Sequence, residues 1–270
     1  MSDAFKALEV TGWREPGRGD AYDAVVGRVT ARVAEPLLDA VGVDAHTSVL
    51  DVATGTGHIA GLAAARGAHA VGIDISDEML ARARKLYADV EFAHGDAEHL
   101  PFDDDSFDAV IAAFLLHHVP SPERVVAELA RVGRRVAVAQ WDAPKRARLI
   151  GLLTDAIAAA GVAPPTGLPA GPSRELLARE EELRRLFEGA GLADVRVDTV
   201  AFVQPMSGTD ELWDGVLGGS VNTRAIVLAQ PPEVQQRIRN ELERLIDPYR
   251  HDGGIDVPVS VRVASARRVR

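Results

Sequence analysis

No cysteine occurs among the 270 residues. That absence removes disulfides, thiolate metal ligands and cysteine nucleophiles together, and it fits a reducing compartment. Long hydrophobic runs are missing as well: no window approaches the roughly 20 apolar residues a membrane span needs. The first ten residues carry Asp3 and Glu9 and have no continuous apolar core, so they do not read as a signal peptide. Positive charge is short. Thirty Lys and Arg stand against 40 Asp and Glu, a formal net charge of −10, which opposes non-specific contact with phosphate backbones. The expectation is a cytoplasmic protein with a small-molecule partner, no nucleic acid and no membrane span, its oligomeric state open. Internal repeats, low-complexity tracts and interdomain linkers are also lacking. The histidines and acids form no metal-ligand pattern, and Asp103, Asp104 and Asp105 read as a solvated turn.

What is present is an ordinary globular composition, 47% apolar and 26% charged, in a length suited to one α/β domain with an insertion. Apolar residues at helical spacing (Val25, Val29, Val33, Leu37, Val41) predict a helix over 21–41, interrupted or restarted near Pro36. Short β-branched or apolar runs predict strands over 47–52, 68–75, 90–93, 107–113 and 135–140. Helices are predicted between them over 58–66, 77–87 (capped by Ser76) and 122–132. This alternation implies right-handed βαβ units.

Beyond that, helices are expected over 145–160 and 174–190, the latter stopped by Gly191, with a Gly- and Pro-rich loop over 161–173. A strand is expected over 195–203 and an edge-like strand over 259–264. Helical pieces around Leu212 and over 233–246 lie between those two strands. The whole is read as one domain, with an N-terminal helical lid (1–45), a cofactor-binding core (46–142) and an acceptor-shaping half (143–270) that holds an insertion over 204–257.

The chemistry begins at residues 49–57 (VLDVATGTG). Ligands of open α/β sheets bind at the carboxyl ends of the strands, and Gly55 and Gly57 let the backbone turn tightly and approach a ligand. A Gly-x-Gly turn alone does not choose between cofactors. Asp74 follows 17 positions after Gly57, where a carboxylate can accept hydrogen bonds from both hydroxyls of a ribose. That still leaves nicotinamide cofactors and S-adenosylmethionine open. Residues 94–102 (HGDAEHLPF) then place Asp96 to accept from an adenine amino group and Ala97 to offer its backbone N–H to a ring nitrogen; residues 107–119 (FDAVIAAFLLHHV) supply the fourth strand and its mouth.

These four stretches, in this order, resemble class I S-adenosylmethionine-dependent methyltransferases. They are most similar to the small-molecule group that includes the ubiquinone/menaquinone-biosynthesis methyltransferases. The resemblance covers roughly residues 20–140 and fades after that. It implies a Rossmann-like, doubly wound and mostly parallel seven-stranded sheet with helices on both faces and an antiparallel last strand, and it implies S-adenosylmethionine as cofactor. Carried over residue by residue, Thr56 and Gly57 would contact the methionine end, with Ala53 and Gly55 beside them, and Asp74 the ribose. Ile75 and Met79 would be further cofactor contacts, and Asp96 with Ala97 would contact the adenine. Ala113 would lie beside the methionine moiety, where many relatives have a small hydroxyl residue, so its contact is backbone or steric. Asp51 would hold the loop or the cofactor amine, and Tyr22 could lie over the cofactor.

Methyl transfer from a sulfonium needs alignment and exclusion of water, with a base only if the acceptor arrives protonated. His117 and His118 follow the fourth strand; either could be that base, His117 first, or a passive wall. Trp141 and Trp213 are candidates for the acceptor wall or for packing. The expected function is methyl transfer to an O, N or C nucleophile of a natural product, quinone or lipid-like acceptor. A methyltransferase-like enzyme that keeps the cofactor but catalyses cyclisation or rearrangement is the alternative. A nicotinamide dehydrogenase is disfavoured by residues 95–102.

Overall fold

In the computed structural model, which describes residues 3–269, five parallel strands form the first part of the sheet. They are β1 (Ser48–Val52), β2 (His69–Asp74), β3 (Glu91–His94), β4 (Phe107–Ala113) and β5 (Gly133–Trp141). β6 (Leu192–Met206), the two-residue β7 (Arg250–His251) and β8 (Gly254–Arg268) complete it. The order is β3-β2-β1-β4-β5-β8-β6, and β8 runs antiparallel to both β5 and β6. The expected seven strands make up this path; β7 pairs with the start of β8 as an eighth.

The strands are apolar on both sides because both sides are covered. In β4, Ala109 and Ile111 join one core, and Val110 and Ala112 the other. In β5, Ala137 and Ala139 face the first and Val136 and Val138 the second. This is the period-two alternation of a strand buried on both faces. The first core is closed by α2 (Arg18–Ala40), α3 (His58–Ala65), α4 (Asp77–Leu86), α6 (Arg148–Ala159), α9 (Thr209–Gly218) and α11 (Pro232–Leu245). The second is closed by α5 (Pro122–Val132), the single turn α7 (Arg174–Leu177) and α8 (Glu180–Gly189). α10 (Val221–Leu228) adds Val227 to the first core and packs on the remaining helix, α1 (Asp3–Trp13).

Local signals explain most boundaries. Ser76 Oγ accepts from Met79 N and starts α4; Ser121 does the same for α5, with proline in its first turn. Four expectations are corrected. α2 runs unbroken through Pro36, because Val29, Val33, Leu37 and Leu38 are fully buried around it and hold the helix despite the missing N–H. The 174–190 helix is two pieces, since Arg179 adopts an extended backbone conformation (φ −84°, ψ 137°) and caps α8. A third helix, α10, stands in the insertion, with Ser220 Oγ accepting from Thr223 N at its start. The strand expected at an edge over 259–264 is the middle of β8, a 15-residue interior strand; among the described residues, β3 and β6 form the edges. No helix among the described residues is long and apolar enough to cross a membrane.

Candidate active site

The carboxyl ends of the five parallel strands open into a cleft of about 910 Å³, counted to its mouth. Gly55 after β1, Asp74 at the end of β2 and Ile75 just beyond it, Asp96 and Ala97 after β3 and Ala113 in β4 line one side. The switch point of the sheet lies between β1 and β4. There two non-glycine residues, Ala53 (φ 55°) and Phe114 (φ 56°), hold left-handed backbone on the cleft wall. Such conformations cost free energy and collect where a site requires them.

Asp74 is buried, and its two oxygens accept from Gly55 N (2.9 Å) and Ser76 N (2.8 Å). Burial pushes its carboxyl up and these N–H donors oppose the rise. Asp51 is 1% exposed and lies behind the wall. Its Oδ2 accepts from Thr54 Oγ1 (2.6 Å) and Ala60 N (3.1 Å), so it fastens the glycine loop to α3. Its Oδ1 has no partner, and burial above all pushes its pKa up to about 7. At the other end, Asp96 accepts from Lys6 Nζ (2.6 Å) and Glu98 N (3.0 Å). Burial alone would raise its carboxyl, but the Lys6 ammonium and the Glu98 N–H hold it below the usual range.

The remaining expected cofactor residues divide. Tyr22 and Met79 line the cleft; the Tyr22 hydroxyl is 2.6 Å from Thr30 Oγ1. Thr56 and Gly57 do not reach the wall. Thr56 Oγ1 donates to Asp23 Oδ1 (2.6 Å), an oxygen that also meets His58 Nε2 (2.9 Å), while Arg82 Nε donates to Oδ2 (2.9 Å). Thr56 therefore ties the glycine loop to α2. Gly57 (φ 87°) turns towards β3 and α4: a Cβ there would meet Phe92 Cζ at 2.9 Å and Tyr87 Cδ2 at 3.0 Å.

The two histidines part ways. Leu116–His118 is a turn of 3₁₀ helix, in which successive side chains point about 120° apart. His117 is sent inward, 5% exposed, with Nδ1 3.3 Å from Gln140 Oε1, and it is not on the cleft wall. Burial, then the charges of His118 and Arg174, press its pKa well below the usual imidazole value. His118 is the histidine that faces the cleft. Trp141 also lines it, stacked on Phe114 (centroids 4.4 Å apart), whereas Trp213 packs in the core.

The opposite wall was largely hidden from the sequence reading. Lys6, Glu9, Val10 and Trp13 face the cleft from α1, and Gly219 from the junction of α9 and α10. The α1 residues recur at i, i+3, i+4 and i+7, a single helix face, but a mixture of charge and apolarity conceals such a face from a hydrophobic-periodicity test. Lys6 also donates to Glu98 Oε2 (2.7 Å), and Arg14 donates to Ile75 O. Ser76 Oγ donates to Trp13 O (2.6 Å). α1 is thereby laced to the adenine-side loops.

Residues 50–137 match the family model described as a methyltransferase domain. The chain is 44% identical over 111 residues to a demethylmenaquinone methyltransferase of Clavibacter sepedonicus, covering 39% of this chain and 45% of that one. It is 47% identical over 93 residues to a phosphatidylethanolamine N-methyltransferase of Cereibacter sphaeroides, covering 32% and 45%. The chain thus spans about half the length of the curated relatives it matches. Among solved structures it is similar to the YcgJ protein of Bacillus subtilis, with a TM-score of 0.57 at 20% identity over 88% of this chain and 99% of that one. That likeness is one of fold. S-adenosylmethionine, which the family implies, fits the residues present. Asp51 keeps one carboxylate oxygen free, and each Asp74 oxygen has capacity left beside its single backbone donor. The space over Gly55 is open, a Cβ there meeting only Tyr22 Cε1 at 4.0 Å.

Proposed function

We propose that this chain, which carries a methyltransferase domain over residues 50–137, is an S-adenosylmethionine-dependent methyltransferase acting on a hydroxyl-bearing, largely apolar aromatic acceptor. The cofactor supplies, when bound, an electrophilic methyl group on a sulfonium. Asp74 would accept from its ribose hydroxyls and Asp96 from its adenine, with Ala97 beside the ring. Gly55 and Ala113 would leave room for its methionine end, and Asp51, behind the wall, would act on its amine through water.

The single observation that carries the acceptor class is the composition of the wall beyond Ala113. Trp13, Phe114 and Trp141 supply aromatic surface, His118 is the imidazole on the cleft wall among the described residues, and the cation there, Lys6, is already paired with Asp96 and Glu98. A flat ring suits such a wall. A phosphate or carboxylate head would find no unpaired cation on it and would meet the charge of Glu9. The relatives' names point to a quinone and to a phospholipid; this wall favours the quinone-like shape. His118, rather than His117, would then take the hydroxyl proton.

The test is calorimetry with S-adenosylhomocysteine, followed by mass spectrometry over a panel of naphthols, quinols, amines and aryl carboxylates. Binding together with the gain of one methyl on a hydroxylated ring supports the reading. A product of unchanged mass would turn it towards cyclisation or rearrangement. Binding of NAD in place of S-adenosylhomocysteine would overturn it.

A further inference from the structure

Glu9 has no place in the cofactor chemistry, yet it is a carboxylate 3% exposed on the cleft wall. Its Oε2 accepts from Trp13 Nε1 (3.0 Å) and lies 2.8 Å from His118 Nδ1. Its Oε1 is buried with no partner. A buried carboxylate oxygen left unsatisfied costs about 1–3 kcal/mol or more, so this is a poor arrangement for an acid whose only work is to hold α1 in place. Lys6 already does that work one turn earlier, through Asp96 and Glu98. The charged and titratable groups around Glu9 are His118 and His117 from the 3₁₀ turn, Lys6 from its own helix, Arg18 from α2, which feels the charge of Glu9 and lies over the Trp13 ring, and Arg174 from α7. Arg174 has a single side-chain hydrogen bond, to Ser220 Oγ (3.3 Å), and feels the charge of Glu9. The Trp13 ring stands edge-on to His118 with centroids 5.3 Å apart, and so fixes the plane of the imidazole from a second side.

We propose that Glu9 is a positioning residue, brought by α1, that holds His118 with its proton on Nδ1 and its lone pair on Nε2 directed to the acceptor. This rests on the methyltransferase reading for its chemistry and on the geometry alone for its tautomer. An ionised Glu9 only accepts, so Nδ1 must donate, and Nε2 is left as the basic nitrogen. When the acceptor hydroxyl reacts, its O–H bond breaks and the proton passes to Nε2. The electron pair left on oxygen forms the bond to the methyl carbon, and the methyl–sulfur pair stays on sulfur, giving a methyl ether and a thioether. Glu9 stabilises the imidazolium that results. The acceptor therefore arrives protonated, and the site is incomplete until α1 is seated, because the base and the carboxylate that orients it are 109 residues apart.

The experiment is long-range ¹⁵N–¹H correlation of the histidine rings near neutral pH, with His118 assigned by H118Q. The wild type is expected to carry its proton on Nδ1, and E9L to move that proton towards Nε2. An Nε2–H wild type, or the same tautomer in E9L, overturns the proposal. This readout needs no acceptor, so it stands apart from failure of S-adenosylhomocysteine to bind, which would sink the methyltransferase reading instead. Should E9L not fold, E9Q replaces it. With a hydroxylated acceptor from the panel, E9Q is expected to lower kcat about tenfold to a hundredfold. KM and S-adenosylhomocysteine affinity should stay within about twofold, and the loss should vanish in an H118Q background. An equal loss in that background would show a merely structural role and overturn the proposal.

Discussion

The two walls of the cleft are built by different means. On the cofactor side, the residues sit at the ends of adjacent strands, and much of the geometry is backbone: Gly55 N and Ser76 N on Asp74, Ala60 N on Asp51. On the cover side, long side chains from α1 reach across to partners about 90 residues away, Lys6 to Asp96 and Glu98 among them. A wall of strand ends is positioned once the sheet forms. A wall of side chains is positioned only when a separate helix docks. The family match, residues 50–137, includes neither α1 nor Gly219 of the second wall. On the function proposed above, the cofactor would fall to the first wall and acceptor choice to the second.

That contrast can be broken in four ways, from the largest expected effect to the smallest. D74A removes a buried carboxylate, and charge-assisted hydrogen bonds are worth about 1.5–3 kcal/mol each. S-adenosylhomocysteine affinity should fall about a hundredfold by calorimetry, and a loss under about threefold would mean that the first wall is not the cofactor wall. Two glycines with nearly equal left-handed angles come next. G57A meets Phe92 and Tyr87, whereas G167A, in the loop between α6 and α7, meets nothing within 4 Å. The left-handed cost of about 1–2 kcal/mol applies to both. Only G57A adds a clash, so its Tm should drop by roughly 5–10 °C and that of G167A by about half as much; equal drops would erase the distinction.

The third concerns pH. Asp51 has a folded pKa of about 7, above its ordinary value of 3.8. The folded state therefore keeps a proton that the unfolded state releases between those values, and the contribution of Asp51 to stability falls as pH rises from about 4 to 7. The Tm difference between wild type and D51N should shrink or reverse across that window. S-adenosylhomocysteine, bringing an ammonium near Oδ1, should flatten the decline. A difference constant with pH would place Asp51 in a wetter setting than its burial implies. Last, G12A puts a methyl 2.5 Å from Val221 Cγ1 on α10. It should loosen the seating of α1 and weaken S-adenosylhomocysteine binding about fivefold, with Tm changed by under about 2 °C. A large fall in Tm would show that cover and core unfold as one.

The same contrast decided what could be read in the sequence. Strand limits such as 107–113 and helix limits such as 122–132 were legible because patterning and caps are local. So was the position of Asp74, Asp96 and Ala113 on the cleft wall, because each follows directly from where a strand stops. Thr56, expected beside them, turns instead to Asp23, 33 residues away on another helix. The sequence reading puts His117 ahead of His118, whereas a single turn of 3₁₀ helix turns His118 to the cleft and His117 inward. β8 alternates like an edge strand, yet β6 covers its outer side. Glu9 and Trp13 gave no signal of their own; only docking gives them a meaning.

One feature of the sheet bears on how such a protein can change. The segment holding α9, α10 and α11 leaves the sheet at Met206 and returns at β7. Met206 and Arg250 both pair with Ile255, so departure and return lie at one rung of the ladder. The two lie on opposite sides of β8, about 10 Å apart, and a loop between ends so close can grow or shrink at little entropic expense, roughly 0.6 kcal/mol per doubling of length. The strands on either side keep their register meanwhile. A foreign segment grafted between these two residues would keep the floor of the sheet, provided it restores the apolar face that α9 and α11 now give to the first core.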